Sequence, residues 1–475
     1  MEKIKILIFI FIFPSLLFSL NDLELEKKGI KCLLEKDFEG ALKFYEEAYK
    51  LNPQKPSILR NLANLYILLK KDEKAEVFLK KLIELEPENS YAYKILRLLL
   101  LKNGKEFEWL QISANWYIKT KNEESLKALI GARVRINHFS QALKLMEKNK
   151  INFPKLEEIK NERIKNIIFL ITLDTFRYDL LNEKTTPNLW NLKKESYFFS
   201  RFYAVAPITL PAHCSIFTGL YPRHTGVKDN SIYKLNEKAE TIPEILKNYG
   251  YTSYGFVSSY LLNRRFGLNQ GFKFYQDNFV PIDKKSRFPS TRRAFDTVSE
   301  ATEFLNKIED EKAFFFIHLY DTHSPYEPPF PFDEAYPDSL YKGEGAYIDF
   351  VLGQFLKHLK KAGIYDKSMI ILLSDHGESL GEYGEPTHGF LLYDPTLHIP
   401  FLLHLPKQKN GKEFDFLSSQ VDLLPTIFSF LKIKNKKTDG DNLFNLKKER
   451  YIFSETEIPL SFNWSSLFKI YKDNF

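Results

Sequence analysis

The sequence predicts an α/β fold, a largely parallel sheet flanked by helices, preceded by an all-helical solenoid. Three observations predict it. Three apolar runs from distant parts of the chain each end on acids or histidines: Asn166 to Asp174, Phe314 to His323, and Met369 to Glu378. Between and around them, strand-like runs alternate with helix-like ones, the grammar of a parallel sheet covered on both faces. Before them, from about Asn21 to Phe153, the chain carries helical patterns only.

In the helical part, Pro53 and Pro87 stand 34 residues apart and close the similar phrases EEAYKLNP and KKLIELEP. Ala41 and Ala75 are offset by the same 34, as are Gly29 and Ala63. Small residues at such offsets let two helices of a hairpin approach closely, and the proline ends the second helix. The period resembles that of the tetratricopeptide repeat, ~34 residues. A weaker unit recurs at Gln141-Ala142-Leu143 with Pro154 in the closing position, and Trp109 to Lys127 is helical but degenerate. The repeats read either as a face for a protein partner or as a spacer, and no anchor residues for a ligand stand out.

The charged stretch Lys155 to Asn166 reads as a linker or connecting helix. After it come strands at Asn166–Leu173, Thr252–Val257, Phe314–Ile317 and Met369–Leu373, with helices over Thr241 to Tyr251 and Gly345 to Gly363. The expected organisation is an N-terminal signal at 1–20, helical repeats at 21–155 and a catalytic domain at 162–475. Nine of the ten histidines lie in that last part; only His138 lies in the repeats. The chemistry is expected there.

Composition narrows the field. With 44% hydrophobic and 27% charged residues the chain reads as ordinary folded protein. Its net charge of +7 comes from lysines spread along the sequence, with no concentrated basic stripe, so a nucleic-acid partner is not expected. Cys32 and Cys214 lie far apart and argue against a disulfide framework. Glu2, Lys3 and Lys5 precede the apolar run Ile6 to Leu20, shorter than the ~20 residues of a spanning helix and ending near Ser19. This reads as a secretory signal, with an uncleaved membrane anchor as the alternative, and places the protein outside the cytoplasm, with membrane proximity through this segment. No cysteine follows the run for lipid attachment.

Acids and imidazoles at strand ends suit a divalent metal, because ligands bind beyond the carboxyl ends of strands in open α/β sheets. Five motifs then carry a resemblance: LDTFRYD, TLPAHCSIFTGLYP, DTHSPY, SDHGESLGEYGEPTHG and VDLLPT. In this order they resemble the sulfatase/alkaline phosphatase superfamily, over roughly Asn166 to Asp473. The resemblance implies an alkaline-phosphatase-like fold and a metal-dependent hydrolase of phosphate or sulfate esters. Counting back from Thr218-Gly219, the nucleophile position is Thr209, followed by Pro211 and, in place of the family arginine, His213. Threonine cannot become the formylglycine of arylsulfatases, because its β-methyl blocks the aldehyde. In this the segment is similar to nucleotide pyrophosphatase/phosphodiesterases and to lipid A phosphoethanolamine transferases. The bland alternative is a loop threonine capping a helix that starts near Pro211, whose free N–H groups would in either case face a substrate anion.

By resemblance, Asp174, Thr209, Asp375 and His376 hold a first metal, and Asp321, His323 and His388 either hold a second or contact substrate. Two ions are preferred, zinc or manganese ahead of calcium or magnesium, and His323 and His388 join Thr209 as catalytic candidates. Thr175 stands where relatives often have a second Asp, which weakens a calcium-type site. His318 is expected to be structural, His224, His358, His398 and His404 structural or at the surface, and Cys214 in the core. Arg177 and Asn230 are candidate substrate contacts. Relatives continue into a small C-terminal antiparallel sheet, so that subdomain is expected to be short or cut off. Alternatives to the hydrolase are a transferase moving a phospho-substituent onto a glycan or lipid, and a non-catalytic repeat scaffold.

Overall fold

A computed structural model describes residues 21–159, 166–230, 232–279, 291–309, 312–434, 437–446 and 449–472. The N-terminal segment 1–20, read above as a signal, lies outside the described residues. Among those residues, no helix is long and apolar enough to cross a membrane. The chain divides into two compact units: residues through Ile151 together with Asp333–Ser339, and Asn152–Phe332 together with Leu340–Phe475.

The first unit is helical. After a helix over residues 21–34, helices follow at Phe38–Leu51, Pro56–Leu68, Asp72–Leu85, Ser90–Lys102, Glu106–Thr120, Glu123–Arg135 and Phe139–Lys148. Their starts are written locally. Asp37 accepts from the Gly40 N–H, Asn89 from Ala92 and Asn122 from Ser125, each satisfying a donor that the first turn leaves free. Ala41, Ala63 and Ala75 are wholly buried, and a Cβ on Gly29 would stand 2.6 Å from the Tyr45 ring. The degenerate stretch is a full hairpin whose Trp116 stacks on Tyr93 at 4.1 Å. Within this unit, Glu334 pairs with Arg97, and Asp338 with Arg135 at 2.7 Å.

The second unit is built on an eight-stranded sheet. Its strands are β1 (Asn166–Leu173), β2 (Tyr197–Phe199), β4 (Thr252–Phe256), β5 (Phe274–Gln276), β6 (Lys312–Leu319), β7 (Ser368–Ser374), β8 (Phe401–His404) and β9 (Lys412–Phe414). They lie in the order β5-β4-β6-β1-β7-β8-β2-β9, and only β8 runs antiparallel to its neighbours. Two short strands, β3 (Phe202–Tyr203) and β10 (Ser418–Ser419), pair separately, and β11 (Tyr451–Thr456) with β12 (Leu467–Lys472) forms a small antiparallel sheet. The central strands β1, β6 and β7 are buried on both faces, which is why they read as unbroken apolar runs rather than alternating ones. β6 extends beyond the expected Phe314–Ile317 at both ends, because its register against β1 continues from Lys312 to Leu319.

That register positions the chemistry. Leu173 of β1 is level with Leu319 of β6 and with Ser374 of β7. The residues that follow, Asp174, Tyr320 and Asp375, therefore leave the sheet side by side at the carboxyl edge, where Asp174 N donates to Leu319 O at 2.8 Å.

Candidate active site

Asp174 and Asp375 lead the site, both wholly buried. Asp375 Oδ1 accepts from the His376 N–H at 2.7 Å and from the Thr175 N–H at 3.2 Å. Thr175 presents that N–H from a left-handed backbone, φ 55°, uncommon for a β-branched residue and the kind of strain that gathers at functional sites. Asp375 Oδ2 and Asp174 Oδ1 have no hydrogen-bond partner. Burial, the largest cause, raises both carboxyl pKa values, and the Asp174 charge raises that of Asp375 further. Two buried carboxylates with an open oxygen each call for a cation.

His376 completes the group. Its Nδ1–H donates to Gly377 O at 2.9 Å, so Nε2 keeps its lone pair and faces Asp375 Oδ2 at 3.6 Å. Burial, the largest cause, with the nearby His388 next, lowers its pKa and keeps it neutral as a ligand must be. The close turn needs Gly377: a Cβ there would meet Pro395 O at 2.0 Å. Ligand atoms of Asp174, Asp375 and His376 all lie within 4.8 Å of one another. His213, His318 and Asp375 meet the same test. His213, however, donates Nδ1–H to Thr209 O at 2.8 Å and accepts at Nε2 from Thr172 Oγ at 3.0 Å, so both nitrogens are engaged. Burial holds it down to about 3. The first group is thus the better cation site.

Thr209 opens the helix Thr209–Thr218, whose N-cap is Ile208. Its hydroxyl caps nothing; it lies 3.4 Å from Asp174 Oδ2 and 3.4 Å from His376 Nε2. The helix offers substrate fewer N–H groups than the sequence suggests, because Leu210 N donates to Asn230 Oδ1 at 2.8 Å. Asn230 is thereby a cap, and Cys214 sits in the core as expected. Arg177, the other candidate contact, is tied to Asp179, Glu382 and the Glu378 carbonyl.

The remaining candidates divide. His323 and His388 stand edge to face at 5.0 Å between ring centres, with His388 4.5 Å from His376. His323 donates Nδ1–H to Ser324 O at 2.7 Å and stacks on Tyr320 at 4.3 Å. Burial lowers its pKa. Burial alone would lower that of His388 too, but the hydrogen bond and charge of Glu378 outweigh it and raise it. Asp321, a candidate ligand or substrate contact, has other partners: its Oδ2 accepts from Ala294 N at 2.9 Å and its Oδ1 stands 3.1 Å from Arg293 Nε. The same Arg293 guanidinium also pairs with the buried Glu344 at 2.9 Å. Among the described residues, neither Asp321, His323 nor His388 belongs to a group of three metal-ligand atoms. His318, expected to be structural, donates Nε2–H to Asp174 Oδ2 at 3.2 Å. Sequence reasoning also missed Glu378, wholly buried, although it stands in the quoted DHGE run.

Carboxylates, an imidazole and a hydroxyl gathered at the carboxyl edge of a parallel sheet define the centre of an ester hydrolase. The chain belongs to the sulfatase family, whose model matches residues 165–433, and residues 33–99 match the tetratricopeptide repeat. It is 26% identical over 349 residues to an ulvan-active sulfatase of Formosa agariphila, covering 62% of this chain and 67% of that one. A lipoteichoic acid synthase-like protein of Bacillus subtilis is 25% identical over 309 residues, 57% of this chain and 48% of its own length. The fold is similar to that of a phosphonate monoester hydrolase from Silicibacter pomeroyi, with TM-score 0.53 and 19% identity over 64% of this chain and 85% of that one.

Proposed function

We propose that this sulfatase-family hydrolase is an extracytoplasmic, metal-dependent enzyme that cleaves phosphate or sulfate esters through Thr209, with phosphate esters the better substrates. The observation that carries the reading is the Thr209 hydroxyl, 3.4 Å from both Asp174 and His376 at the mouth of the carboxylate pair. Asp174, Asp375, His376 and the Thr209 hydroxyl would hold one divalent ion, zinc or manganese given the mixed oxygen and imidazole donors. Such an ion supplies Lewis acidity, which lowers the pKa of a bound hydroxyl.

The protein groups do the rest. Thr209 Oγ, its proton passed toward Asp174 Oδ2, attacks the phosphorus (or sulfur) and forms a covalent ester as the bond to the leaving oxygen breaks. His388 gives that oxygen its proton, and water then releases the Thr209 ester, returning a proton to the neutral imidazole. His323, neutral with Nε2 uncommitted, is placed to orient the anion or the water. Phosphate esters are favoured because Thr209 cannot be converted to formylglycine. The location rests on the apolar run Ile6 to Leu20 behind Lys3 and Lys5.

The test is parallel turnover of bis(4-nitrophenyl) phosphate and 4-nitrophenyl sulfate by the metal-loaded full chain. Faster phosphodiester cleavage supports the reading, and faster sulfate cleavage with Thr209 unmodified overturns its substrate half. A second reading, transfer of the group to an acceptor alcohol instead of water, draws on the likeness to the lipoteichoic acid synthase-like relative. Product analysis separates the two.

A further inference from the structure

Glu378 holds together the two loops that carry His323 and His388. Its Oε1 accepts from His388 Nδ1–H at 2.9 Å and from the Thr387 hydroxyl at 3.0 Å, and its Oε2 accepts from the Tyr326 hydroxyl at 2.9 Å. Tyr326 lies three residues beyond His323 on the loop that leaves β6, whereas Thr387 and His388 lie on the loop that leaves β7. The Glu378 side chain is wholly shielded from solvent and that of His388 is 11% exposed. Three donors on one buried carboxylate leave it a single orientation, and among the described residues no lysine or arginine side chain is ion-paired with it. A ring nitrogen committed to a fixed carboxylate sets both the tautomer and the ring plane of its imidazole.

We propose that Glu378 is the positioning residue of the reaction: it takes the Nδ1–H of His388, so that Nε2 is the nitrogen that serves the leaving oxygen, while Tyr326 and Thr387 fix the carboxylate. This rests on the role given to His388 above. No proton moves to or from Glu378 in this role; the proton that reaches the leaving oxygen comes from His388 Nε2. Glu378 therefore matters in proportion to how much proton donation the leaving group needs. A nitrophenolate leaves with little help and an alkoxide does not.

The experiment compares Glu378→Gln, Glu378→Ala and Tyr326→Phe with the wild type on paired esters of one series, nitrophenyl and alkyl. The expected result is a kcat loss of about 10–100-fold on the alkyl ester, under about threefold on the nitrophenyl ester, with KM and metal content unchanged. Tyr326→Phe should shift both in the same direction by less. A loss equal on both esters, or none, overturns the proposal. A second measurement does not need turnover: 15N spectra of histidine-labelled protein, with the His388 signals found by their absence in His388→Gln. At a pH where His388 is neutral, they should show Nδ1 protonated in the wild type and a mixture of tautomers in Glu378→Ala. An unchanged tautomer in Glu378→Ala overturns the proposal as well. If the wild type cleaves neither ester, the assigned function falls while the spectra still decide the role of Glu378.

Discussion

Thr209 and Asp174 meet across two elements: the threonine hydroxyl at the head of its helix lies 3.4 Å from Asp174 Oδ2 at the end of β1. The contact exists because Ile208, not Thr209, caps the helix, so the hydroxyl is free for the site. Thr209→Ala should abolish turnover and retain part of the metal, since Asp174, Asp375 and His376 remain. Thr209→Ser should keep measurable activity, because the hydroxyl survives without its methyl. Wild-type rates in the alanine variant would place the nucleophile elsewhere.

The carboxylate pair predicts the metal. Purified chain should hold about one equivalent of divalent ion, and Asp375→Ala should lose it. At free metal 100 times Kd, binding should stabilise the fold by about 2.7 kcal/mol. Metal analysis and thermal unfolding with and without chelator check both values. Full occupancy in Asp375→Ala would refute the ligand set.

The same pair fixes the sign of a pH dependence. Burial raises both folded-state pKa values above the ordinary 3.8. A raised folded value stabilises fully below the unfolded value and is lost as pH rises through the folded one. Metal-free protein should therefore lose this contribution from about pH 4 upward, and the metal-induced rise in Tm should grow with pH. His376, whose pKa is lowered, acts in the opposite sense below the ordinary imidazole value, so Asp375→Asn is the control. A metal-induced shift independent of pH would contradict the assignment.

Ala75 is wholly buried between repeat helices, and Gly377 abuts Pro395 O. Ala75→Trp should cost about 1–3 kcal/mol or more by overpacking, without touching metal content. Gly377→Ala should disturb His376 and lower metal affinity. Denaturant unfolding and metal titration read the two effects apart, and exchanged outcomes would mean that the packing is misassigned.

How far the sequence was legible follows from the kind of contact involved. β1, β6 and β7 were plain, because strands buried on both faces are unbroken apolar runs, and the 34-residue offsets marked the helices. The short strands β2, β3, β5, β8, β9 and β10 were not: two to four residues carry no periodicity. The pairing of Asp321 was not legible, because Arg293 lies 28 residues upstream on another element. Strand parity correctly put His318 on one face of β6 but could not tell that the Asp174 side chain reaches it from β1. Glu378 stood in a quoted motif, yet its role depends on Tyr326, 52 residues away.

The central claim is that Thr209 carries the transferred group. Rapid quench of the metal-loaded protein with a phosphodiester, followed by peptide mass spectrometry, tests it directly. A phospho-adduct on the peptide containing Thr209, formed and lost at rates consistent with turnover, is the predicted result. Turnover with no adduct there, or with an adduct on another residue, would contradict the account.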